Sequence, residues 1–319
     1  MSTVHAPAAA AAASRPKIVS YLRLGKARVY HYVYGWALGL LLLHADGLAT
    51  ADTLFPLVCL LAGTLAIQWS ASAADDVSGF RNGSDARNYE GRPPVTRVRK
   101  PLLTGALSVH EAIRFAIVAW LAGMLAFALA AHQLRGPVPL PALLAAFAVP
   151  ALAVQYSCGV KLSYRPLGLE STIFITGAFT VCMPYWFVAG TISRETLLVS
   201  ALFGLWLLLV VSFGNASDRT GDAAVQRRTL AVLLPPLWFA ALLHLLVAAN
   251  AVLLILLFTT TRINPGCVAL GAPVVALQLT QLYYGVYRRE LRKARFLVLL
   301  SIDLGSATLA TALLTGFAL

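Results

Sequence analysis

The sequence predicts an all-α protein that crosses a membrane several times, and its composition and hydropathy pattern are the basis for this prediction. Of the 319 residues, 59% are hydrophobic and only 12% are Asp, Glu, Lys or Arg, whereas a soluble domain has about 45–50% apolar and about 25% charged residues. Apolar runs of about 20 residues, the length that a helix needs to cross a bilayer, recur from Val29 to the C-terminus. This composition excludes a soluble single-domain protein.

Nine apolar segments are predicted to be transmembrane helices. In chain order they are 29–48, 54–74, 109–131, 138–157, 169–190, 196–214, 237–258, 265–286 and 297–318. They take up most of the chain, so we expect one membrane domain over residues 17–319. Residues 1–16 are Ala-rich and lack a charged stretch followed by an apolar core, which predicts a disordered tail and not a signal peptide.

The basic residues predict the orientation in the membrane. With the N-terminus in the cytosol, 21 of the 25 Lys and Arg residues fall on the inner side, and only Arg135, Arg194 and Arg262 fall in outer loops. This asymmetry follows the positive-inside rule and favours an odd number of spans, with the C-terminus outside. We therefore expect a protein of a bacterial inner (plasma) membrane. Lipid headgroups account for the net charge of +12, so nucleic acid is not an expected partner.

Oxygen-bearing side chains cluster after the second and the sixth predicted span. The members are Asp75, Asp76, Asp85, Asn215, Asp218 and Asp222. The predicted orientation places both clusters at the cytosolic face, each at a helix C-terminus, where the helix dipole disfavours a carboxylate by about 0.3–1 kcal/mol. Mg²⁺ relieves such repulsion, because it takes oxygen ligands and typically joins one or two carboxylates to substrate phosphates. The clusters therefore indicate a metal-bound diphosphate; solvated loop acids balanced by nearby arginines are the alternative.

Four sequence motifs lie near these acids or contain them. They are Lys100-Pro101-Leu102-Leu103-Thr104-Gly105, then Tyr156-Ser157-x-x-x-Lys161 with Tyr164-Arg165-Pro166-Leu167-Gly168, then Asn215-x-x-Asp218-x-x-x-Asp222, and Arg227-Arg228-Thr229-Leu230-Ala231. On a nine-span frame, from about residue 18 to the C-terminus, the chain resembles the UbiA superfamily of intramembrane prenyltransferases. The second motif is similar to a loop of the menaquinone-type branch, the 1,4-dihydroxy-2-naphthoate prenyltransferases.

The first acidic motif departs from the pattern of that branch. Where the branch has Asn-Asp-x-x-Asp followed by Gly-x-Asp, this chain has Asp75 and Asp76, then Gly79 in place of the third acid, and then Asp85. One carboxylate is lost and another is gained four residues earlier, so the charge is kept while the ligand geometry changes. A second register, with Ser72 in place of the Asn and Asp76 as the third acid, needs a longer gap before Asp85.

The resemblance implies a Mg²⁺-dependent enzyme that transfers an isoprenyl group from a prenyl diphosphate to an aromatic or quinone-precursor acceptor in the bilayer. It assigns the six clustered residues to the metal, with two Mg²⁺ ions, and makes the four aspartates at 75, 76, 218 and 222 catalytic. Candidate ligands of the diphosphate are Arg92, Arg99, Lys100, Lys161 and Arg228. Lys161 is the best placed by resemblance and a candidate catalytic residue; anchoring at lipid headgroups is the alternative for each basic residue.

Aromatic and polar side chains within the spans are further candidates. Five aromatic residues could stabilise an allylic cation, with Tyr156 as a catalytic candidate, or lie at the membrane interface instead: Trp69, Tyr156, Tyr185, Trp186 and Tyr283. Four polar residues fall inside spans: His31, His244, Asn250 and Asp303. Asp303 is the costliest there, and it predicts either a function or a buried partner, with an interhelical hydrogen bond as the plain explanation.

Two other functions compete with prenyl transfer. A terpene cyclase on the same scaffold would ionise the same diphosphate and capture the cation with a double bond of the substrate itself, and the altered first motif keeps this alternative open. A secondary transporter would use the acids as ion sites. Transporters usually place such sites near the bilayer midplane on broken helices, often within inverted repeats. Here the acids lie at one rim, and the sequence shows no inverted repeat.

Overall fold

A computed structural model describes residues 16–90 and 98–315, and these ranges fold into α-helices joined by short loops. The helices are α1 Lys17–Leu24, α2 His31–Ala45, α3 Ala51–Arg81, α4 Ser84–Asn88, α5 Val109–Gln133, α6 Leu140–Val154, α7 Gly168–Ala189, α8 Arg194–Ala224, α9 Leu230–Leu233, α10 Pro236–Thr260, α11 Val268–Leu282 and α12 Leu291–Thr315. Short 3₁₀ turns precede α7 and α11, and a π-helical turn, Tyr283–Tyr287, follows α11. The predicted tail at residues 1–15 lies outside the described residues.

Seven helices are long and apolar enough to cross a bilayer, which confirms a polytopic membrane protein. The other two predicted spans correspond to α2 and α6, which have 15 residues each. At 1.5 Å per residue such a helix is about 22 Å long, shorter than a hydrocarbon core of about 30 Å. The count of nine membrane-crossing helices therefore remains a prediction.

The helices α3 and α8 carry the acidic clusters because they extend well past the length of a single span. Each has 31 residues and is therefore about 46 Å long, roughly 15 Å more than the hydrocarbon core. Asp75 and Asp76 lie in the last two turns of α3, and Asp218 and Asp222 lie in the last two turns of α8. The acids are therefore parts of rigid helices and not of the loops that follow them.

The helix α8 forms the centre of the bundle. Its Phe203, Trp206 and Phe213 are among the largest fully buried side chains. Glycine permits its close approach to α7: a Cβ atom on Gly204 would lie 2.6 Å from the carbonyl oxygen of Phe174. Because interiors are packed at crystal-like density, this approach fixes α8, and with it the second acidic cluster, against its neighbours.

Ion pairs close the end of the bundle opposite the acidic clusters. Arg262, in the loop after α10, lies 2.7 Å from Asp46 and 3.1 Å from Glu195. The hydroxyl of Tyr185 also donates a hydrogen bond to Asp46. These contacts join α2, α7 and α8 at the face that the charge pattern predicts to be the outer one.

Candidate functional site

A single guanidinium group joins the two acidic clusters. Arg227, just after α8, places one terminal nitrogen 2.9 Å from Oδ1 of Asp75 and the other 3.8 Å from Oδ1 of Asp222. The side chains of Asp222 and Arg227 are only 4% and 12% exposed. The two clusters therefore face each other across a few ångströms, although Asp75 and Asp222 lie on different helices.

Two lysines complete the charge balance of the first cluster. Lys100 Nζ lies 2.8 Å from Asp76 Oδ1 and 2.9 Å from Asp85. Lys26 Nζ approaches Asp75 at 3.3 Å and Asp76 at 3.7 Å. Burial alone would lower the pKa of Lys100, but the carboxylates of Asp76, Asp85 and Asp75 outweigh it and raise that pKa. Lys100 therefore stays charged at neutral pH.

Ser157 and Tyr156, in the loop after α6, add polar groups next to Asp75. The Ser157 hydroxyl donates a 2.6 Å hydrogen bond to Asp75 Oδ1, and its side chain is buried. Burial and the negative charge of Asp75 raise the pKa of the Tyr156 phenol, so it remains a neutral hydroxyl. The loop motif therefore contacts the first acidic cluster through Ser157, a residue that the sequence analysis did not select.

Gly79 and Asp85 explain the altered first motif in physical terms. A Cβ atom on Gly79 would lie 2.9 Å from Cγ of Asp85 and 3.0 Å from both carboxylate oxygens. The Asp85 carboxylate therefore packs against the backbone at the position where the related pattern has its third acid. A larger residue at position 79 would have to displace it. The register without a gap, which aligns Asp85 with the Gly-x-Asp step, fits this packing.

The oxygen donors suit a divalent cation, although the cationic side chains currently contact most of them. Within the described ranges, no group of three or more His, Cys, Asp or Glu side chains is arranged as a ready metal site. The donors are carboxylate oxygens, the type that Mg²⁺ prefers. Asp75 and Asp222 both contact one guanidinium, so they are close enough to bind one small charged group between them. Asn215 lies one turn before Asp218 on α8 and is half-buried.

A mostly apolar cavity begins at this charged rim and runs between the helices. This first cavity has a volume of about 440 Å³. Lys26, Asp75 and Tyr156 line its polar part, and apolar residues that include Phe127 and Phe179 line the rest. Ligand pockets typically have volumes of roughly 300–1,000 Å³. The arrangement can therefore hold a molecule with an anionic head and an apolar body.

Lys161 lies on a different cavity. This second cavity, of about 1,020 Å³, is lined by residues of α3, α5 and α6 and by the loop with Ser157, Gly159 and Lys161. Lys161 is exposed, with its Nζ 5.7 Å from the ring centre of Tyr164. No contact joins it to the carboxylates of either cluster in the described structure. The structure thus places Lys161 on a cavity that none of the described carboxylates of the two clusters lines.

The remaining predicted ligands and aromatic residues are scattered. Arg92 lies outside the described residues, and Arg99 and Arg228 are exposed. Arg228 donates its backbone N–H to the carbonyl of Ser163. Of the five predicted aromatic residues, Tyr156 is the one that lines the first cavity. Tyr185 contacts Asp46 at the opposite face, so it is too far from the acidic clusters to contact the same small anion.

Sequence reasoning missed several basic residues at the site. Lys26, Arg28 and Arg295 line the first cavity, and Arg227 contacts Asp75, the carboxylate that lines it. Arg227 belongs to a motif that the sequence analysis identified, but the two adjacent arginines cannot be ranked without knowing the turn that precedes them. That turn contains Gln226 in the left-handed region, with φ 61°.

Comparisons with known proteins identify the family of this chain. Residues 33–302 match the model of the UbiA prenyltransferase family, which is most of the chain. This chain belongs to the UbiA prenyltransferase family. It is therefore a membrane-embedded prenyltransferase. Among curated proteins, no sequence matches it significantly.

Solved structures share the UbiA fold at low sequence identity. A structure of digeranylgeranylglyceryl phosphate synthase superposes with a TM-score of 0.64 at 14% identity, covering 93% of this chain and 98% of that one. An apo UbiA homologue from Aeropyrum pernix K1 gives 0.62 at 18% identity, covering 86% and 96%. A UbiA homologue from Archaeoglobus fulgidus bound to GPP and Mg²⁺ gives 0.59 at 15% identity, covering 91% and 99%. The all-helical fold predicted from the sequence is thereby confirmed.

Proposed function

We propose that this chain transfers an isoprenyl group from a prenyl diphosphate to an aromatic or quinone-precursor acceptor, and that the reaction depends on Mg²⁺. The observation that carries the proposal is the placement of Arg227 between Asp75 and Asp222, where Asp75 also lines a cavity that is mostly apolar. A diphosphate needs several cationic partners, and a prenyl chain needs an apolar channel next to them. Both requirements meet at this rim. The positive-inside distribution of charge assigns the rim to the cytosolic side.

The basic residues of the rim would bind the diphosphate. Arg227, which contacts Asp75, presents a planar fork of donors suited to phosphate oxygens, and Lys26 supplies a point charge on the first cavity, which Asp75 also lines. Arg28 and Arg295 line the cavity as well, and both are exposed and able to turn toward a ligand. Lys100 is held by two carboxylates, so we assign it to the stability of the first cluster. In this proposal Lys161 and Arg228 anchor the protein at the headgroups.

Carboxylate oxygens of both clusters would bind the metal. We assign Asp75, Asp76 and Asp85 to one ion and Asp218 and Asp222, with the amide of Asn215, to a second. Mg²⁺, when bound, would neutralise charge on the diphosphate and stabilise the negative charge that grows on it as the C–O bond weakens. Lys26 and Arg227, which contact Asp75 in the structure, are the cations that would bind the phosphate oxygens.

The walls of the first cavity would protect the allylic cation. Its apolar side chains exclude water that would otherwise capture the cation. Phe127, Phe179, Tyr32 and Tyr156 line the cavity, and aromatic faces attract a cation by about 0.5–2 kcal/mol each. The neutral phenol of Tyr156 suits this role, because a phenolate there would add a nucleophile next to the cation.

The test uses purified full-length protein in lipid nanodiscs with dimethylallyl or geranyl diphosphate, Mg²⁺ and a panel of acceptors that includes 1,4-dihydroxy-2-naphthoate. We expect an alkylated acceptor with Mg²⁺ and none with excess chelator. Asp222→Asn should abolish product, whereas Glu290→Gln, at an exposed acid paired with Arg288, should leave it unchanged. A cyclised hydrocarbon or alcohol formed without any acceptor would favour the cyclase instead. No consumption of any diphosphate would refute both.

A further inference from the structure

A histidine on helix α2 and an aspartate on helix α12 face each other inside the bundle. His31 Nε2, at the start of α2, lies 3.8 Å from Asp303 Oδ1 on α12. The distance is too long for a hydrogen bond. Both atoms are enclosed by protein, and neither has a hydrogen-bond partner among the described residues. His31 is therefore the polar partner that we expected for an aspartate within a span.

The pair is expensive to maintain as a purely structural feature. Asp303 lies 12 residues into α12, or about 18 Å along the helix. Carboxylates within spans are costly and usually mark a functional site. A structural polar pair at the same depth is joined by a direct hydrogen bond: Trp206 on α8 donates a 2.7 Å bond to Asn250 on α10. The pair of His31 and Asp303 has no such direct bond.

His31 also belongs to the proposed reaction chamber. It lines the first cavity together with Asp75 and Tyr156, and its side chain is 7% exposed. The ring of Tyr30 stacks on its imidazole with ring centres 4.6 Å apart, which fixes the plane of the imidazole. Nε2 is the ring nitrogen that faces Asp303. Because His31 lines the first cavity, Nδ1 is the ring nitrogen that remains for a ligand there.

Other titratable groups on this cavity are poor proton acceptors. Asp75 is held by Ser157 and Arg227, and we assign it to the metal. The ammonium group of Lys26 and the guanidinium groups of the two arginines that line the cavity have no lone pair to offer. Tyr156 is a neutral phenol. His31 is thus the residue whose chemistry fits a base, since a neutral imidazole accepts a proton near pH 7.

We propose that His31 is the base of the transfer reaction and that Asp303 positions it; this inference rests on the proposed function. The acceptor is a molecule whose attacking atom, an aromatic carbon or a hydroxyl oxygen, carries a proton. The C1–O bond of the prenyl group breaks, its electron pair leaves with the diphosphate, and the attacking atom then forms a bond to C1 of the allylic cation. The proton of the attacking atom passes to Nδ1 of His31. The Asp303 carboxylate stabilises the resulting imidazolium, which afterwards returns its proton to water at the polar rim.

The experiment compares His31→Gln with Asp303→Asn in nanodiscs, with the donor and acceptor that the wild-type protein uses. General base catalysis contributes about 10²–10⁴-fold, so His31→Gln should lower kcat within that range. Asp303→Asn should lower it by about tenfold or more, because only the positioning group changes. The KM for the prenyl diphosphate should stay within about twofold in both, since the diphosphate binds at the rim. The matched control is His244→Gln, at a histidine that bonds Tyr287 and Ala240 away from the cavity.

Chemical rescue separates a base from a merely structural histidine. His31→Ala should be nearly inactive and should regain turnover as imidazole is added, with thermal unfolding in nanodiscs confirming that the variant is folded. Full kcat in His31→Gln would overturn the assignment, as would a rise in the KM of the diphosphate with kcat unchanged. If His31→Ala is folded and imidazole restores nothing, the base is another group. If the wild-type protein alkylates no acceptor, the proposed function fails first, and the assignment of the base falls with it.

Discussion

Replacing Arg227 by Gln removes the group that bridges the two acidic clusters. The guanidinium lies 2.9 Å from Asp75 and 3.8 Å from Asp222, and all three side chains are at most 17% exposed. Removing one partner of a buried ion pair typically costs about 3–5 kcal/mol, because the remaining charge is left uncompensated. Asp75 retains Lys26 at 3.3 Å, so the loss of unfolding free energy without metal should be near the lower end, about 3 kcal/mol.

Mg²⁺ should recover much of this loss if it binds the same carboxylates. A ligand at 100 times its Kd stabilises a protein by about 2.7 kcal/mol. In Arg227→Gln no guanidinium competes for Asp75 and Asp222, so the variant should gain more stability from Mg²⁺ than the wild-type protein does. Turnover should nevertheless fall by about 10²–10³-fold, because a donor to the leaving diphosphate is missing.

The assay is unfolding of both proteins in the same detergent with and without Mg²⁺, combined with kcat and KM for the prenyl diphosphate. The matched control is Arg228→Gln, one residue away, whose side chain is exposed. It should change stability by less than about 0.5 kcal/mol, as surface substitutions usually do. Identical behaviour of the two variants, or an Mg²⁺ response in Arg227→Gln no larger than in the wild type, would refute the bridging role.

Four other substitutions test three separate parts of the structure. Asp218→Ala and Asp222→Ala should each abolish turnover while the protein stays folded and inserted, which unfolding curves and membrane extraction would verify; activity in either would argue against the metal assignment. Gly79→Ala should displace the Asp85 carboxylate and raise the Mg²⁺ concentration needed for half-maximal activity, since overpacking costs about 1–3 kcal/mol; an unchanged Mg²⁺ titration would show that Asp85 is not a ligand. Arg262→Gln should cost about 1–3 kcal/mol of stability at the outer face by leaving buried acceptors unpaired, with normal kcat; a loss of kcat would connect that face to the site.

The sequence predicted the fold class and the two acidic clusters because each has a local signal. Apolar runs of membrane length can be read without any tertiary information, and the Asn215-x-x-Asp218-x-x-x-Asp222 spacing lies within one helix. The predicted helix bounds were less accurate, since helix α8 continues to Ala224, ten residues past the predicted span of 196–214. The helix continues because polar side chains are tolerated where it leaves the bilayer.

The contacts between distant segments could not be predicted in the same way. Arg227 and Arg228 are equivalent in sequence, and only the turn at Gln226 decides which of them faces the carboxylates. The contact between His31 and Asp303 joins segments far apart in the chain, and no hydrophobic alternation or residue spacing in the sequence indicates it. Lys161 resembles a ligand by its motif, yet the loop that carries it places the side chain on the second cavity.

A structure of the protein with a non-hydrolysable prenyl diphosphate analogue and Mn²⁺, located by anomalous scattering, tests the central claim most directly. We expect metal peaks within about 2.0–2.6 Å of carboxylate oxygens from both α3 and α8. Arg227 should contact the phosphate oxygens, and the prenyl chain should lie in the first cavity. A diphosphate bound beside Lys161 in the second cavity, or metal bound to one helix alone, would contradict it.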